Sequence, residues 1–231
     1  MPMSAPNAQK ERFERTTSTP ATRSPQSLTD NAYGTLRMAI IRGEFGEGKF
    51  LTEAGAREKF KIGHTPFREA CNRLIHESLL ELMPRRGYFV PQLSIQAVRN
   101  LFEARILVES RAAELAATRA TPDQIHEMGA LLKRRQPTKL NAKTVETLLE
   151  ANSEFHEQLA AMSRNDEIER IVIGVLDRSA RLVYLFKDDR SEFDVHAYHR
   201  PIYAAICKGN GKKARELLIA DIQAGQSEFF V

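Results

Sequence analysis

The pattern of apolar and polar positions changes abruptly at Leu28. Before this residue the chain is rich in Ser, Thr, Pro, Ala and charged residues and has almost no large apolar side chains. Such a segment buries too little apolar surface to repay the entropy of ordering, so residues 1–27 are predicted to be a flexible tail. From Tyr33 to Ile41 apolar residues recur at helical spacing, and Gly43 ends this pattern, which predicts a first helix.

The next segment has the pattern of a helix-turn-helix. A short helix is predicted at residues 52–60 and a turn at 61–64. The second helix is predicted to begin with Thr65 as its N-cap and Pro66 at its first position. Two helices joined by so short a turn form the helix-turn-helix unit. Two β-forming runs then flank the sequence PRRG and predict a hairpin, or wing, at residues 79–83 and 88–90.

The rest of the chain has a helical period throughout. The predicted fold class is therefore mainly α: a winged helix-turn-helix domain at residues 28–92, followed by an all-helical antiparallel bundle at residues 93–231. No strand pattern interrupts this body. Its helices are predicted near residues 95–119, 122–134, 143–163, 166–186, 194–208 and 211–228.

Composition narrows the class of protein. The chain has 34 Lys and Arg against 30 Asp and Glu. Residues 1–93, the head, carry the whole positive excess, and the rest of the chain, the body, is neutral. Two cysteines, Cys71 and Cys207, argue against a disulfide framework, and both are expected in the core. No apolar run approaches the roughly 20 residues that span a bilayer. A soluble protein of the reducing cytoplasm is therefore expected.

The second predicted helix separates cleanly into two faces. Thr65, Arg68 and Asn72 lie on one face, and an apolar stripe that includes Phe67 and Leu74 lies on the other. A helix that reads the major groove needs long polar side chains near its N-terminus. The wing arginines could reach the minor groove or the DNA backbone. On periodicity alone, a solvated amphipathic helix followed by a surface hairpin explains the pattern equally well.

Three motifs decide between these readings. The chain has YGTLRMAIIRGEFGEGKFLTE from Tyr33, HTPFREACNRL from His64 and PRRGYFV from Pro84. In order and spacing they resemble the winged helix-turn-helix signature of the GntR family of bacterial transcription regulators. The resemblance implies binding to double-stranded operator DNA, most economically as a homodimer with two reading heads. The DNA-binding residues are then predicted to be His64, Thr65, Arg68, Asn72, Arg85, Arg86 and Gly87.

Two departures from the family pattern precede the reading helix. Family members usually have Ser or Thr followed by Arg where this chain has Gly63 and His64, and an Arg that often helps contact DNA is Ala54 here. The operator is therefore expected to differ from those of relatives. Our hypothesis is that His64 keeps part of a phosphate or base contact and binds more strongly when it is protonated.

Three helices of the body place polar residues on faces that should be apolar. Asn152 and His156 lie one turn apart on one helix, His199 lies on a second, and Asp221 lies on a third. A single buried histidine is usually a satisfied core residue, whereas four inward polar groups from three helices suggest a shared cavity. Spacing alone leaves a ligand or metal site and a polar core cluster both open.

A second resemblance bears on this choice. RILVES from Arg105, NSEFHEQLAAMSRN from Asn152 and HRPIYAAICKGN from His199, with Asp221 further on, look like the FCD ligand-binding domain of the GntR branch that includes the fatty-acid regulator. Relatives commonly bind a divalent metal through one Asp and three His, and a small carboxylic acid completes its coordination.

Here Asn152 stands in the Asp position and Asp221 in that of the last His. A metal site of Asn152, His156, His199 and Asp221 suits Zn, Ni or Mn. The alternative is that metal binding is lost and these residues form a hydrogen-bonded cluster.

Arg105 falls beside the inward stripe of the first body helix. It is expected either to pair with Glu109, one turn away, or to anchor the carboxylate of an effector. His196 is expected at the surface or at the rim of the site. The leading interpretation is a DNA-binding regulator that senses a small carboxylic acid and is not an enzyme. A metal-dependent hydrolase and a regulator without an effector remain the alternatives.

Overall fold

A computed structural model of the chain describes residues 27–186, 190–191 and 194–227. The predicted tail lies outside the described residues, apart from Ser27. The first part of the chain is a winged helix-turn-helix with a three-stranded antiparallel sheet in the order β1-β3-β2. Its elements are α1 (Leu28–Ile41), β1 (Lys49–Leu51), α2 (Glu53–Phe60), α3 (His64–His76), β2 (Glu81–Met83) and β3 (Gly87–Val90).

The predicted apolar stripe of α3 forms the core of this part. Phe67, Cys71 and Leu74 are buried, and they belong to the same apolar cluster as Leu36 and Ile40 of α1. Burial of this stripe leaves the polar face of α3 in solvent, as the two-faced pattern predicts. The helix ends near Ser78, whose φ of +60° takes the chain out of the helical direction.

Two local predictions here were wrong. α3 begins at His64 and its N-cap is Gly63, so Thr65 does not cap it. Gly63 offers no side-chain oxygen for the free N–H groups of the first turn. The sequence analysis also missed β1, whose Phe50 pairs with Phe89 of β3. A strand of three residues is too short to give a periodic signal.

The second part is a helical bundle around α4, which packs against four other helices. The largest apolar cluster of the chain lies here and includes Phe102, Phe155 and Ile202. The mainly α fold is confirmed. Its elements are α4 (Ile95–Arg119), α5 (Pro122–Leu131), β4 (Lys139–Leu140), α6 (Val145–Met162), α7 (Asp166–Phe186), β5 (Arg190–Ser191), α8 (His199–Cys207) and α9 (Gly211–Ser227).

The bundle differs from the prediction in three details. β4 and β5 form a two-residue antiparallel pair inside a body that was predicted to lack strands. α8 begins at His199 because residues 195–198 form a turn, not the start of a helix. Cys207 is exposed, whereas Cys71 is buried as expected.

Three arginines join the two parts of the chain. Arg37 of α1 donates from Nε to Oδ2 of Asp177 on α7 at 2.7 Å, and Arg42 at the end of α1 pairs with Glu146 of α6. Arg181 of α7 is buried and donates to the carbonyl oxygen of Pro91 at 2.6 Å. No described helix is long and apolar enough to cross a membrane.

Candidate functional site

A cavity of about 340 Å³ lies within the helical bundle. α4, α6, α7 and α9 and the turn before α8 all contribute to its walls. Its size lies at the lower end of the range for sites that bind small molecules. Arg105, Asn152, His156 and Asp221 all line it, so the structure brings most of the predicted site residues together.

Helical spacing explains why α6 supplies a row of cavity residues. Leu148, Asn152 and His156 follow one another at intervals of four residues and therefore lie on one face of the helix. Leu148 and His156 are buried, and Asn152 is half-buried. The two polar members of this row mark one end of the cavity wall, and the leucine marks the other.

Two imidazoles and one carboxylate converge at the polar end. Nε2 of His156 lies 3.4 Å from Oδ2 of Asp221, and Nε2 of His199 lies 4.0 Å from Oδ1 of the same residue. One possible ligand atom from each of the three residues lies within 4.8 Å of the others. The convergence of these residues from α6, α8 and α9 matches the sequence prediction.

Neighbouring side chains orient both rings. Oε2 of Glu109 lies 2.5 Å from Nδ1 of His156, and an ionised carboxylate can only accept, so this nitrogen carries the proton. Nδ1 of His199 lies 2.9 Å from Nδ1 of His196. The ring of Phe155 stacks on His199 with a centroid separation of 3.9 Å. Both rings thus direct Nε2 towards Asp221.

His196 was placed wrongly by the sequence analysis. Its side chain is 1% exposed, not at the rim, because the turn of residues 195–198 folds it back onto His199. The spacing of three residues between the two histidines was visible in the sequence. That signal had meaning only once the direction of this turn was known.

Burial controls the charges of the converging groups. Burial lowers the pKa of His199 well below its usual value, and the nearby His156 and His196 lower it further. Burial raises the pKa of Asp221, and the neighbouring His156 partly opposes this effect. A neutral imidazole with a free lone pair is the form that binds a metal.

These residues fit a divalent cation. Nε2 of His199 is buried and has no hydrogen-bond partner among the described residues. An unpartnered imidazole nitrogen beside a carboxylate and a second imidazole nitrogen is a donor set typical of transition metals. Asn152 lines the same cavity and offers an amide oxygen.

Arg105 makes the ion pair that was one of its two predicted interactions. Its Nε donates to Oε1 of Glu109 at 2.6 Å, as the ion-pair prediction requires. Burial opposes the ionisation of Glu109, but Arg105 and His156 together outweigh it and lower the pKa of this carboxyl to about 2. Arg105 also lines the cavity, so the ion pair does not remove its guanidinium from the site.

The winged helix presents a second candidate surface. Thr65, Arg68 and Asn72 are exposed along α3, and Arg85 and Arg86 are exposed in the turn of the wing. The guanidinium of Arg86 lies 4.4 Å from the centroid of the Phe50 ring, which orients this side chain.

The wing turn requires unusual backbone angles. Gly87 has a φ of +96°, a conformation that suits glycine, and Arg85 has a φ of +63°. Gly87 therefore shapes the turn of the wing.

His64 is engaged with a partner. Its Nδ1 lies 2.7 Å from Oε2 of Glu53 at the start of α2, and the side chain remains 62% exposed. This contact joins the two helices of the helix-turn-helix at the point where the chain departs from the usual family pattern.

The fold defines a class of protein: a winged helix-turn-helix domain followed by an all-helical domain. Residues 28–90 match the family model described as bacterial regulatory proteins, gntR family, and residues 100–224 match the FCD domain. The chain therefore belongs to the GntR family, in the group whose regulators carry an FCD domain. The matched families and relatives are DNA-binding transcription regulators and not enzymes, which removes the hydrolase alternative.

Relatives and solved structures agree with this assignment. The Nta operon transcriptional regulator of Aminobacter aminovorans is 27% identical over 78% of this chain and 83% of its own length. An uncharacterized HTH-type transcriptional regulator of Bacillus subtilis, YdhC, is 25% identical over 81% of this chain and 84% of its own.

A putative GntR regulator from Rhodococcus sp. RHA1 superimposes with a TM-score of 0.64 at 25% identity, covering 87% of this chain and 97% of that one. E. coli McbR/YncC superimposes with a TM-score of 0.69 at 18% identity, covering 89% and 98% respectively, and so shares the fold.

Proposed function

We propose that this regulator binds a small carboxylic acid in its helical body, through a divalent metal, and that the acid controls operator binding. The observation that carries the proposal is the convergence of His156, His199 and Asp221, of which His156 and Asp221 line the cavity. Buried polar groups without partners are costly. Their presence together in a cavity therefore supports a ligand that satisfies them.

The metal would be held by His156, His199 and Asp221, with Asn152 as a neutral fourth ligand. When bound, a divalent cation such as Zn, Ni or Mn supplies a Lewis acid that can accept a carboxylate oxygen. Glu109 contacts Nδ1 of His156, and His196 contacts Nδ1 of His199. Both contacts would hold the Nε2 atoms of the two rings towards the metal. Such outer contacts orient ligands and raise their basicity.

Arg105 would recognise the carboxylate of the effector. Its Nε is occupied by Glu109, which fixes the position of the guanidinium plane. A planar guanidinium fork matches a carboxylate in shape and charge. A bound acid would thus meet an oriented cation at the polar end of the cavity.

At the other surface we propose that α3 reads the operator. Thr65, Arg68 and Asn72 would enter the major groove, while Arg85 and Arg86 of the wing would contact the minor groove or the backbone. A single unit of this kind reads only a few base pairs, so a homodimer with two heads about one DNA turn apart, or a multiple of it, is expected. DNA binding by such a homodimer would take place in the cytoplasm.

His64 is proposed to assist this contact when it is protonated. Its pair with Glu53 leaves more than half of the side chain exposed beside the N-terminus of α3. In a fluorescence anisotropy titration, operator affinity should rise as the pH is lowered, because a protonated imidazole is attracted to the DNA backbone. His64→Ala should remove this rise; equal pH dependence in both proteins would contradict the role.

α7 connects the cavity to the DNA-binding part. Ser179, Ala180 and Val183 of this helix line the cavity. Asp177 and Arg181, on a neighbouring face, hold Arg37 of α1 and the link after the wing. The two DNA-binding domains of the homodimer can differ in their relative placement. An acid can change operator affinity only if it binds one such placement more tightly than another. α7 offers one physical connection for such a preference, and α6 offers another through Glu146, which pairs with Arg42.

The test combines metal analysis with ligand binding. Protein purified without chelator should contain close to one divalent ion per chain, and a panel of carboxylic acids should raise its melting temperature. Treatment with a chelator and His156→Ala should each abolish the response to acids. Protein that contains no metal and responds to no acid would establish the alternative, a regulator whose polar cluster is structural.

A further inference from the structure

The cavity has a polar end and an apolar end, and α6 sets the distance between them. Leu149 lines the cavity seven residues before His156. At 1.5 Å per residue, it lies about 10 Å from the imidazole along the helix axis. A ligand held at the converging imidazoles would therefore extend about two helical turns before it reached the end of this wall.

The apolar end belongs to a separate hydrophobic cluster. This cluster lies around the first half of α6 and includes the strand β4, the turn before α8 and the last turns of α7. The members that also line the cavity are Leu140, Leu148, Leu149, Val183 and Val195. Four separate parts of the chain thus each contribute aliphatic side chains to the same volume.

Two polar groups near this end already have partners. The hydroxyl of Ser179 donates to the backbone oxygen of Val175 at 2.9 Å, so it is already satisfied. Asp194 lines the cavity and pairs with Arg200 at 2.6 Å, and this arginine lowers the pKa of the Asp194 carboxyl. An anionic group on the tail of a ligand would meet aliphatic carbon and a carboxylate.

We infer that the effector is a monocarboxylic acid with an apolar tail about two helical turns long, aliphatic or aromatic. The inference rests on the proposed function, because the carboxylate end is assigned to the metal and Arg105. Its tail would bury apolar surface against the cluster around Leu148 and Leu149. Dicarboxylates and polyhydroxy acids of equal length would bury polar groups there without partners, which is unfavourable.

The experiment is a chain-length series measured by isothermal titration calorimetry on the full chain, purified without chelator. The probes are the straight-chain acids from propanoate to decanoate. The dissociation constant should fall about fourfold with each added methylene until the cavity is full, since each buried methylene contributes about a factor of that size. Octanedioate should bind at least tenfold more weakly than octanoate.

Variants of Leu149 test the length of the cavity. Leu149→Phe should shift the best ligand to a shorter acid, and Leu149→Ala should shift it to a longer one. Leu107→Ala is the matched control, because this leucine of α4 is 72% exposed and does not line the cavity. A purely structural role of Leu149 would change stability without changing the preferred chain length.

The outcomes separate this inference from the proposed function. If no monocarboxylate binds and His156→Ala changes nothing, the proposed function fails and the inference fails with it. If short acids bind in a manner that requires His156, but affinity is flat or falls with chain length, the inference alone is overturned. Both are supported if affinity rises with chain length and the preferred length shifts in the Leu149 variants.

Discussion

Removing the ion pair between Arg37 and Asp177 should weaken the contact between the two parts of the chain by a measurable amount. Arg37 approaches the carboxylate with Nε and Nη2 together, and the Nε bond is 2.7 Å long. The side chains are 26% and 9% exposed. Exposed pairs contribute about 0.2–1 kcal/mol, and breaking a fully buried pair costs about 3–5 kcal/mol. A coupling energy of about 1–3 kcal/mol is therefore expected.

The assay is a double-mutant cycle of Arg37→Ala and Asp177→Ala, with the free energy of unfolding measured in urea. Fluorescence and circular dichroism should be followed together, because chains of two domains often unfold in more than one step. The pair of Arg42 and Glu146 is the matched control, since it bridges the same two parts with side chains 37% and 45% exposed. Its coupling energy should be below about 1 kcal/mol.

Equal coupling energies for the two pairs would contradict the expectation that burial strengthens the first pair. A second readout concerns signalling. Asp177→Asn should reduce the change in operator affinity that an acid causes, while the affinity for the acid itself stays the same. A full response to the acid in this variant would show that the connection does not run through α7.

Three further predictions test packing, reactivity and DNA reading. Gly211→Ala should destabilise the fold by about 1–3 kcal/mol, because its new Cβ would lie 2.7 Å from a backbone oxygen of α4; thermal unfolding measures this. Gly174→Ala, with nothing within 4 Å, should be neutral or slightly stabilising. A thiol reagent should modify Cys207 at once but Cys71 only after unfolding, since Cys71 is buried and burial raises its pKa to about 12. Arg68→Ala should cost about 1–3 kcal/mol of operator binding and little binding to a scrambled duplex.

Each of these has a result that would contradict it. Equal melting temperatures for the two glycine variants would mean that α9 can move away from α4 without cost. Rapid modification of Cys71 in the folded protein would mean that the winged-helix core opens readily. Equal losses on operator and scrambled DNA would make Arg68 a phosphate contact and not a base contact.

The sequence predicted those features that depend on local periodicity. The stripe of Phe67 and Leu74 and the row from Leu148 to His156 follow from helical spacing alone, and both were predicted correctly. The convergence of His199 and Asp221 also required that their helices face one cavity, which the inward position of both residues implied. Each of these predictions depended only on the spacing of residues within a helix.

The features that were missed depend on contacts between distant segments. β4 exists because Leu140 pairs with Arg190, fifty residues away, and neither strand is long enough to show a pattern. The burial of His196 depends on the direction of one turn. The contact of His64 with Glu53 depends on the angle between α2 and α3, which no spacing within one helix encodes.

The strand that carries the wing runs directly into the residue that α7 holds. β3 ends at Val90, and the carbonyl of the next residue, Pro91, accepts a hydrogen bond from the buried Arg181. A movement of α7 would therefore reach the wing through this bond, and it would reach α1, which packs on α3, through Arg37. Wing contacts to the backbone govern the strength of binding, and α3 contacts to bases govern the choice of sequence. A variant that loses only one of the two links to α7 would therefore separate these two effects.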